Sequence, residues 1–271
     1  MVKKGLQTVE IFDFQVLSSP RDNLLDHINE SIGQKKKLFI ITPNPEIVIA
    51  SKNDPSYFGV LQKADIAVAD GIGLIWAREV LKESNFWRKI GSGFKVGLQI
   101  LAGRFTDQVI GGTDLMIDLC RLAARNDWPV YLLGGGPGVA EKVLEVLKNR
   151  FPGFSGWAEV GPVIKNQKSK IKNQNYWAEK INAKSPTFLF VALGMKKQEE
   201  FIWQNWRQLK VNLAMGIGGA FDQIAAPSLK SPKSLQKAGL GWLYRLIRQP
   251  WRIKKQLALL KFIFLVLADN R

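Results

Sequence analysis

The sequence predicts an α/β fold: a mostly parallel sheet with helices on both faces, followed by a basic C-terminal helical appendage. Three observations carry this expectation. Short apolar runs of strand length alternate with helix-length segments through about the first 225 residues. The glycine-rich and polar motifs fall just after those runs. Positive charge collects at the C-terminal end, where residues 228–271 hold ten Lys/Arg against one acid, Asp269. Strands that are apolar throughout belong to parallel sheets covered on both faces. Such sheets bind ligands at the carboxyl ends of their strands.

The elements follow in order. Residues 37–42 (KLFIIT) read as a buried strand, followed by a helix over about 45–52. Residues 65–69 (DIAVA) are a second strand, with a helix over about 72–82. The helical-looking stretch 115–124 contains the one cysteine, Cys120, which reads as a buried small hydrophobe. Residues 129–133 (PVYLL) form a third strand, leading through glycines into a helix over 137–149. Residues 187–193 (TFLFVAL) form a fourth, with a helix over about 197–209, and 211–215 (VNLAM) a fifth. Two stretches break the rhythm. Residues 86–108 are basic, apolar and glycine-containing, and read equally as a packed loop or hairpin and as a membrane-touching element. Residues 165–175 (KNQKSKIKNQN) read as a solvated loop.

With 271 residues, 46% of them hydrophobic, the chain suits one large α/β domain plus an appendage and is not a disordered one. The expected division is 1–227 for the α/β domain and 228–271 for the appendage. A lone cysteine makes no internal disulfide, and the first residues, MVKKGLQTVEIFDF, lack the apolar run of a secretory signal. Both point to a cytoplasmic protein. The net charge of +16 calls for an anionic partner. Trp242 and Trp251 lie among the basic residues of the appendage, a mixture that suits a membrane interface rather than a nucleic-acid groove. The apolar run 262–268 is far shorter than the roughly 20 residues a spanning helix needs. The expectation is peripheral attachment to an anionic membrane surface without nucleic acid. A homo-oligomer is left open.

Five motifs sit at strand ends. Thr42-Pro-Asn44-Pro-Glu46 offers short polar side chains, and Asn44 before Pro45 is also a good helix cap. In Ala69-Asp70-Gly71-Ile72-Gly73, Asp70 is placed either to act as a general base or to cap a helix. Leu133-Gly134-Gly135-Gly136-Pro137-Gly138 opens a helix whose N–H groups suit phosphate, although it is not a full dinucleotide fingerprint. Leu193-Gly194-Met195-Lys196-Lys197-Gln198-Glu199 presents Gln198 to sugar hydroxyls or a base. Gly216-Ile217-Gly218-Gly219-Ala220-Phe221-Asp222 delivers Asp222. No His/Asp/Glu cluster has metal-ligand spacing, and His27 is the one histidine, so no metal or other cofactor is expected.

In this order, and with Gly112-Thr-Asp-Leu115 and Gly239-Leu-Gly-Trp-Leu-Tyr-Arg245, the motifs closely resemble the WecG/TagA/CpsF glycosyltransferases over about residues 9–255. The resemblance implies a Rossmann-like α/β domain with a C-terminal appendage. It implies inverting, metal-independent transfer of N-acetylmannosamine or a related sugar from a UDP-sugar to an undecaprenyl-diphosphate-linked sugar. By the same resemblance Asp70 is the base, with Thr42 and Asn44 in the active site. Gln198 matches the cleft glutamine and Asp222 the aspartate associated with the nucleotide, and Arg245, Arg252 and Lys255 match cations that close over the donor diphosphate. Gly134 and Gly135, in the glycine-rich turn, are substrate-binding candidates from their place at a helix start. The chain departs from the family pattern at Lys230-Ser231-Pro232, Gly241, Ala226 and Lys255, and in the length of 86–108. A competing reading from another class is a non-catalytic membrane- or polyanion-binding protein on a nucleotide-binding-like core. It predicts binding without turnover. A nucleotide-dependent oxidoreductase ranks below both, because the dinucleotide fingerprint is incomplete.

Overall fold

The computed structural model describes residues 6–105, 108–162, 174–229, 231–232, 234–235, 238–248, 250 and 253–269, with side chains described except at 174, 229, 245 and 253–256. Eight strands form one sheet: β1 (Thr8–Ile11), β2 (Phe14–Leu17), β3 (Leu38–Ile41), β4 (Ile66–Ala67), β5 (Val130–Gly134), β6 (Gly156–Glu159), β7 (Phe188–Ala192) and β8 (Leu213–Gly216). Their order across the sheet is β1-β2-β4-β3-β8-β7-β5-β6. Only the β1–β2 hairpin, in register at Val9↔Val16, is antiparallel, and every other pairing is parallel.

The central strands are apolar on both faces because both faces are covered. Leu38 and Ile40 of β3, Val130 and Leu132 of β5, Phe188 and Phe190 of β7, and Leu213 and Met215 of β8 join one buried cluster. That cluster contains residues of α1 (Arg21–Gly33), α6 (Gly112–Arg125), α7 (Val139–Arg150) and α10 (Ala220–Ala225). The alternate residues Phe39, Ile41, Tyr131, Leu133, Leu189, Val191 and Ala214 join the opposite cluster. There the cover comes from α2 (Pro45–Lys52), α3 (Pro55–Leu61), α4 (Ile72–Val80), α8 (Gln174–Asn182) and α9 (Lys197–Asn205). The two-residue period of the strands thus divides one continuous apolar run between two cores.

The five expected strands are all present, each within two residues of its expected ends. The 86–108 stretch departs from the loop or hairpin alternative: Phe86–Leu101 is a helix, α5, begun by Asn85, whose side chain accepts the Trp87 N–H. The low-complexity loop expected at 165–175 falls largely on 163–173, outside the described residues.

Two further helices follow the sheet, Gly241–Arg248 and Ile253–Ala268. The latter, the C-terminal helix, sends Phe262 and Val266, both fully buried, into the second cluster. There Phe262 meets Phe12 edge-to-face, with ring centroids 5.8 Å apart. The segment expected to be a basic appendage therefore ends in a helix that helps to build the α/β core.

Candidate active site

All five motifs lie at the carboxyl ends of strands that are consecutive in the sheet, β4-β3-β8-β7-β5. Beyond β3, Thr42 is buried. Asn44 accepts the Ile47 N–H at 3.0 Å and so caps α2, with Pro45 in the first turn. The capping alternative thus describes its Oδ1.

Asp70 is half-buried beyond β4, and its own N–H donates to Pro43 O at 2.9 Å, lashing the two strand ends together. It does not cap the helix that follows it: Gly71 occupies the N-cap of α4, without a side-chain bond. Instead Asp70 Oδ1 accepts the N–H of Gly112, the first residue of α6, at 3.0 Å. A carboxylate at a helix amino end is favoured by the dipole and by the unpaired N–H groups there. The α carbon side of Gly112 also faces Thr42, whose Oγ1 lies 3.5 Å from where a β carbon would be. The Gly-Thr-Asp-Leu motif, to which no role was assigned above, brings α6 onto Thr42 and Asp70.

At the end of β5, Gly134 has φ +110°, and a β carbon on it would lie 2.5 Å from Ala192 O. Only glycine fits. The next N–H, that of Gly135, donates to Ala192 O at 2.9 Å. These two glycines join β5 to β7, and the Gly135 N–H, already donated there, points away from the expected phosphate role.

Gln198 is buried, with both ends of its amide occupied. Its Oε1 accepts the Gly218 N–H at 2.9 Å, and its Nε2 donates to Glu199 Oε1 at 2.7 Å. It braces the turn after β8. Asp222 stands exposed in the first turn of α10, beyond that turn.

Sequence reasoning missed the group beneath Gln198. Glu199 is fully buried, and its Oε2 accepts the Lys196 N–H at 2.8 Å and the Tyr57 O–H at 3.2 Å. Burial pushes the Glu199 carboxyl above its ordinary range, against the pull of the Gln198, Tyr57 and Lys196 hydrogen bonds. Burial, and then the neighbouring Glu199, push the Tyr57 phenol up. Lys196, at φ +71°, reaches Asp54 at 2.6 Å, and Asp54 caps α3 through the Tyr57 N–H. The Lys196 bond holds Asp54 below the usual carboxylate range. Glu199 was visible as the last letter of its motif; Tyr57, on a helix not anticipated, had no signal.

Of the expected diphosphate cations, Arg245 lies in the 241–248 helix and Lys255 in the C-terminal helix, so they do not share one helix. Their side chains and all of Arg252 lie outside the described residues. The neighbouring Arg248 is exposed and stacks over Tyr244 at 5.8 Å. Among the described residues no group of three or more His, Cys, Asp or Glu has the arrangement of a metal site.

A doubly wound sheet with five adjacent strand ends carrying polar and glycine-rich turns is a nucleotide-type ligand cleft. The chain belongs to the Glycosyl transferase WecG/TagA/CpsF family, which it matches over residues 9–92 and 78–271. It is thus a glycosyltransferase. It is 28% identical to an N-acetylglucosaminyldiphosphoundecaprenol N-acetyl-beta-D-mannosaminyltransferase of Bacillus spizizenii, over 98% of this chain and 93% of the relative. A Staphylococcus aureus protein of the same name is 28% identical over 86% of this chain and 81% of its own length.

Proposed function

We propose that this chain transfers N-acetylmannosamine from a UDP-sugar to N-acetylglucosaminyl-diphosphoundecaprenol, with inversion, in the synthesis of a cell-surface polymer of teichoic-acid type. The observation that carries the reading is the near full-length likeness to transferases named for that sugar and acceptor. Asp70, at a strand end, is suited to take the proton of the acceptor hydroxyl as its oxygen attacks C1. The C1–O bond to UDP breaks, and the electron pair leaves with the diphosphate. The Gly112 N–H holds one carboxylate oxygen, and the other is the one assigned to the acceptor. Thr42, Asn44 and Asp222 are assigned to the rim of the cleft. Gln198 acts through the Gly218 turn. Arg245, Arg252 and Lys255 are assigned to the departing diphosphate, whose growing charge fixed cations stabilise without a metal. Residues 1–227 form the catalytic unit and 228–271 the appendage, and the protein works on the inner face of the plasma membrane.

The test is a turnover screen of UDP-sugars against a short-chain, soluble diphosphate-linked GlcNAc, with and without EDTA. UDP-N-acetylmannosamine should be the preferred donor, and EDTA should leave the rate unchanged. Preference for a different donor overturns the sugar assignment. A rate abolished by EDTA and restored by Mg²⁺ or Mn²⁺ overturns metal independence.

A further inference from the structure

Helix α5 has two opposed faces. Lys89, Val96 and Ile100 are buried on one. On the other, Trp87, Ile90, Phe94, Leu98 and Leu101 recur at three- and four-residue spacing and stay exposed, Trp87 at 76% and Phe94 at 71%. A helix of 3.6 residues per turn gathers them into one stripe, flanked by Arg88 and Lys95. Five large apolar side chains in a row on a surface helix mark an interaction site. The helix is held firmly in place. Gly93 lies against the Trp76 ring and accepts the Trp76 indole N–H at 3.0 Å. The buried Lys89 ammonium is bound by the backbone oxygen of Asp269, at the end of the C-terminal helix.

We propose that the exposed face of α5 docks in the interface of an anionic phospholipid bilayer. The inference rests on the proposed function for its purpose, since a polyprenyl-linked acceptor resides in a membrane. Charge complementarity chooses the occupant. Residues 86–101 contain no acid, and with Lys89 buried their exposed cations are Arg88 and Lys95. Residues 253–268 contain three basic residues and no acid, and residues 241–248 two and no acid. Apolar side chains beside unopposed cations, with Trp at one end, are the composition of an interfacial helix. Its 16 residues lie in the plane and do not cross it, because no helix among the described residues is long and apolar enough to span.

The position of α5 gives docking a consequence. A β carbon on Gly239, which leads into the 241–248 helix, would lie 2.6 Å from the Ile100 side chain and 3.4 Å from that of Ile72. Ile72 opens α4, two residues after Asp70. Gly239 therefore sits against both the docked helix, through Ile100, and Ile72 beside the turn that carries the assigned base.

The experiment uses the full chain and vesicles of phosphatidylethanolamine with phosphatidylglycerol, with phosphatidylcholine vesicles as the neutral control. Trp87→Ser, Phe94→Ser and Leu98→Ser are combined. The triple variant should bind anionic vesicles about tenfold more weakly or worse, while its turnover of the soluble acceptor matches wild type. In a second measurement Phe94→Cys carries an environment-sensitive dye. Cys120 is buried and does not compete for the label. The dye emission should shift to the blue on anionic vesicles. Unchanged vesicle binding by the triple variant, or a dye that stays in water on bound vesicles, overturns the proposal. So does a dye shielded without vesicles in a protein whose mass halves in the triple variant, because the face would then belong to a second copy. If wild type turns over no UDP-sugar yet binds vesicles through α5, the proposed reaction falls and the docking surface stands.

Discussion

Asp70 Oδ1 accepts the Gly112 N–H, so two substitutions at this position separate two jobs. Asp70→Asn keeps an oxygen for that N–H and removes the basicity. It should fold and bind UDP normally while losing roughly 10²-fold or more in kcat. Asp70→Ala removes both and should add a loss of about 1 kcal/mol for the uncapped α6, read by urea denaturation. Near-normal turnover by the Asn variant removes Asp70 from the base role. Glu199 makes a different demand, because three donors converge on its carboxylate. Glu199→Gln sets one N–H against another and should destabilise by about 1–3 kcal/mol at pH 5. Burial raises this carboxyl above the ordinary 4.5, so the native state holds the proton more tightly than the unfolded chain. Its contribution is full below 4.5 and is lost as pH climbs through the raised value. The Gln variant lacks that slope, and its deficit should shrink from pH 5 towards pH 8. A deficit that grows over this range contradicts the sign. The placement of candidate residues at strand ends was legible wherever a motif followed an apolar run, as at Asp70, Gln198 and Asp222. Their partners were not. Gly112 lies 42 residues from Asp70 and Tyr57 lies 142 from Glu199, and no local pattern encodes contacts of that range.

At the scale of elements, legibility followed apolarity. β3, β5, β7 and β8 are buried on both faces and announce themselves as continuous apolar runs. β6 (GWAE) is half-buried at the sheet edge and carries no such signal. The glycines of 86–108 suggested a loop. Gly93 instead lets α5 close on the Trp76 ring, so a glycine compatible with a loop serves close helix packing. The appendage gave its charge in sequence but not its buried side. Phe262 and Val266 fill the core beside Phe12, and Phe262→Ala should cost about 3–5 kcal/mol in a denaturant titration. A change below about 1 kcal/mol would place that ring outside the cooperative core. Truncation within 253–268 would therefore damage the core as well as the surface. Leu260→Ser with Phe264→Ser alters only exposed positions and is the cleaner probe of that helix at a membrane.

The whole molecule places a basic, apolar surface next to a cleft assigned to a lipid-linked acceptor, and the formal charge of +16 gives that arrangement a measurable signature. Each basic residue near an anionic surface contributes about 1 kcal/mol. The attraction reaches only as far as the Debye length, about 10 Å at 0.1 M salt and about 3 Å at 1 M. Chemistry inside the cleft works over shorter distances, between groups shielded from bulk ions. Salt should therefore act on delivery of the acceptor more than on the reaction. Raising NaCl from about 0.05 M to about 0.5 M should lower the apparent kcat/KM for an acceptor embedded in phosphatidylglycerol vesicles at least about tenfold. Over the same range the soluble short-chain acceptor should change by no more than about twofold, because its encounter does not depend on the surface. Neutral vesicles should behave like the soluble acceptor in their insensitivity to salt, although at a lower rate. Equal salt dependence for both acceptors would put the cations to work in the cleft alone. The concentration of charge in 228–271 would then serve the diphosphate and not the membrane.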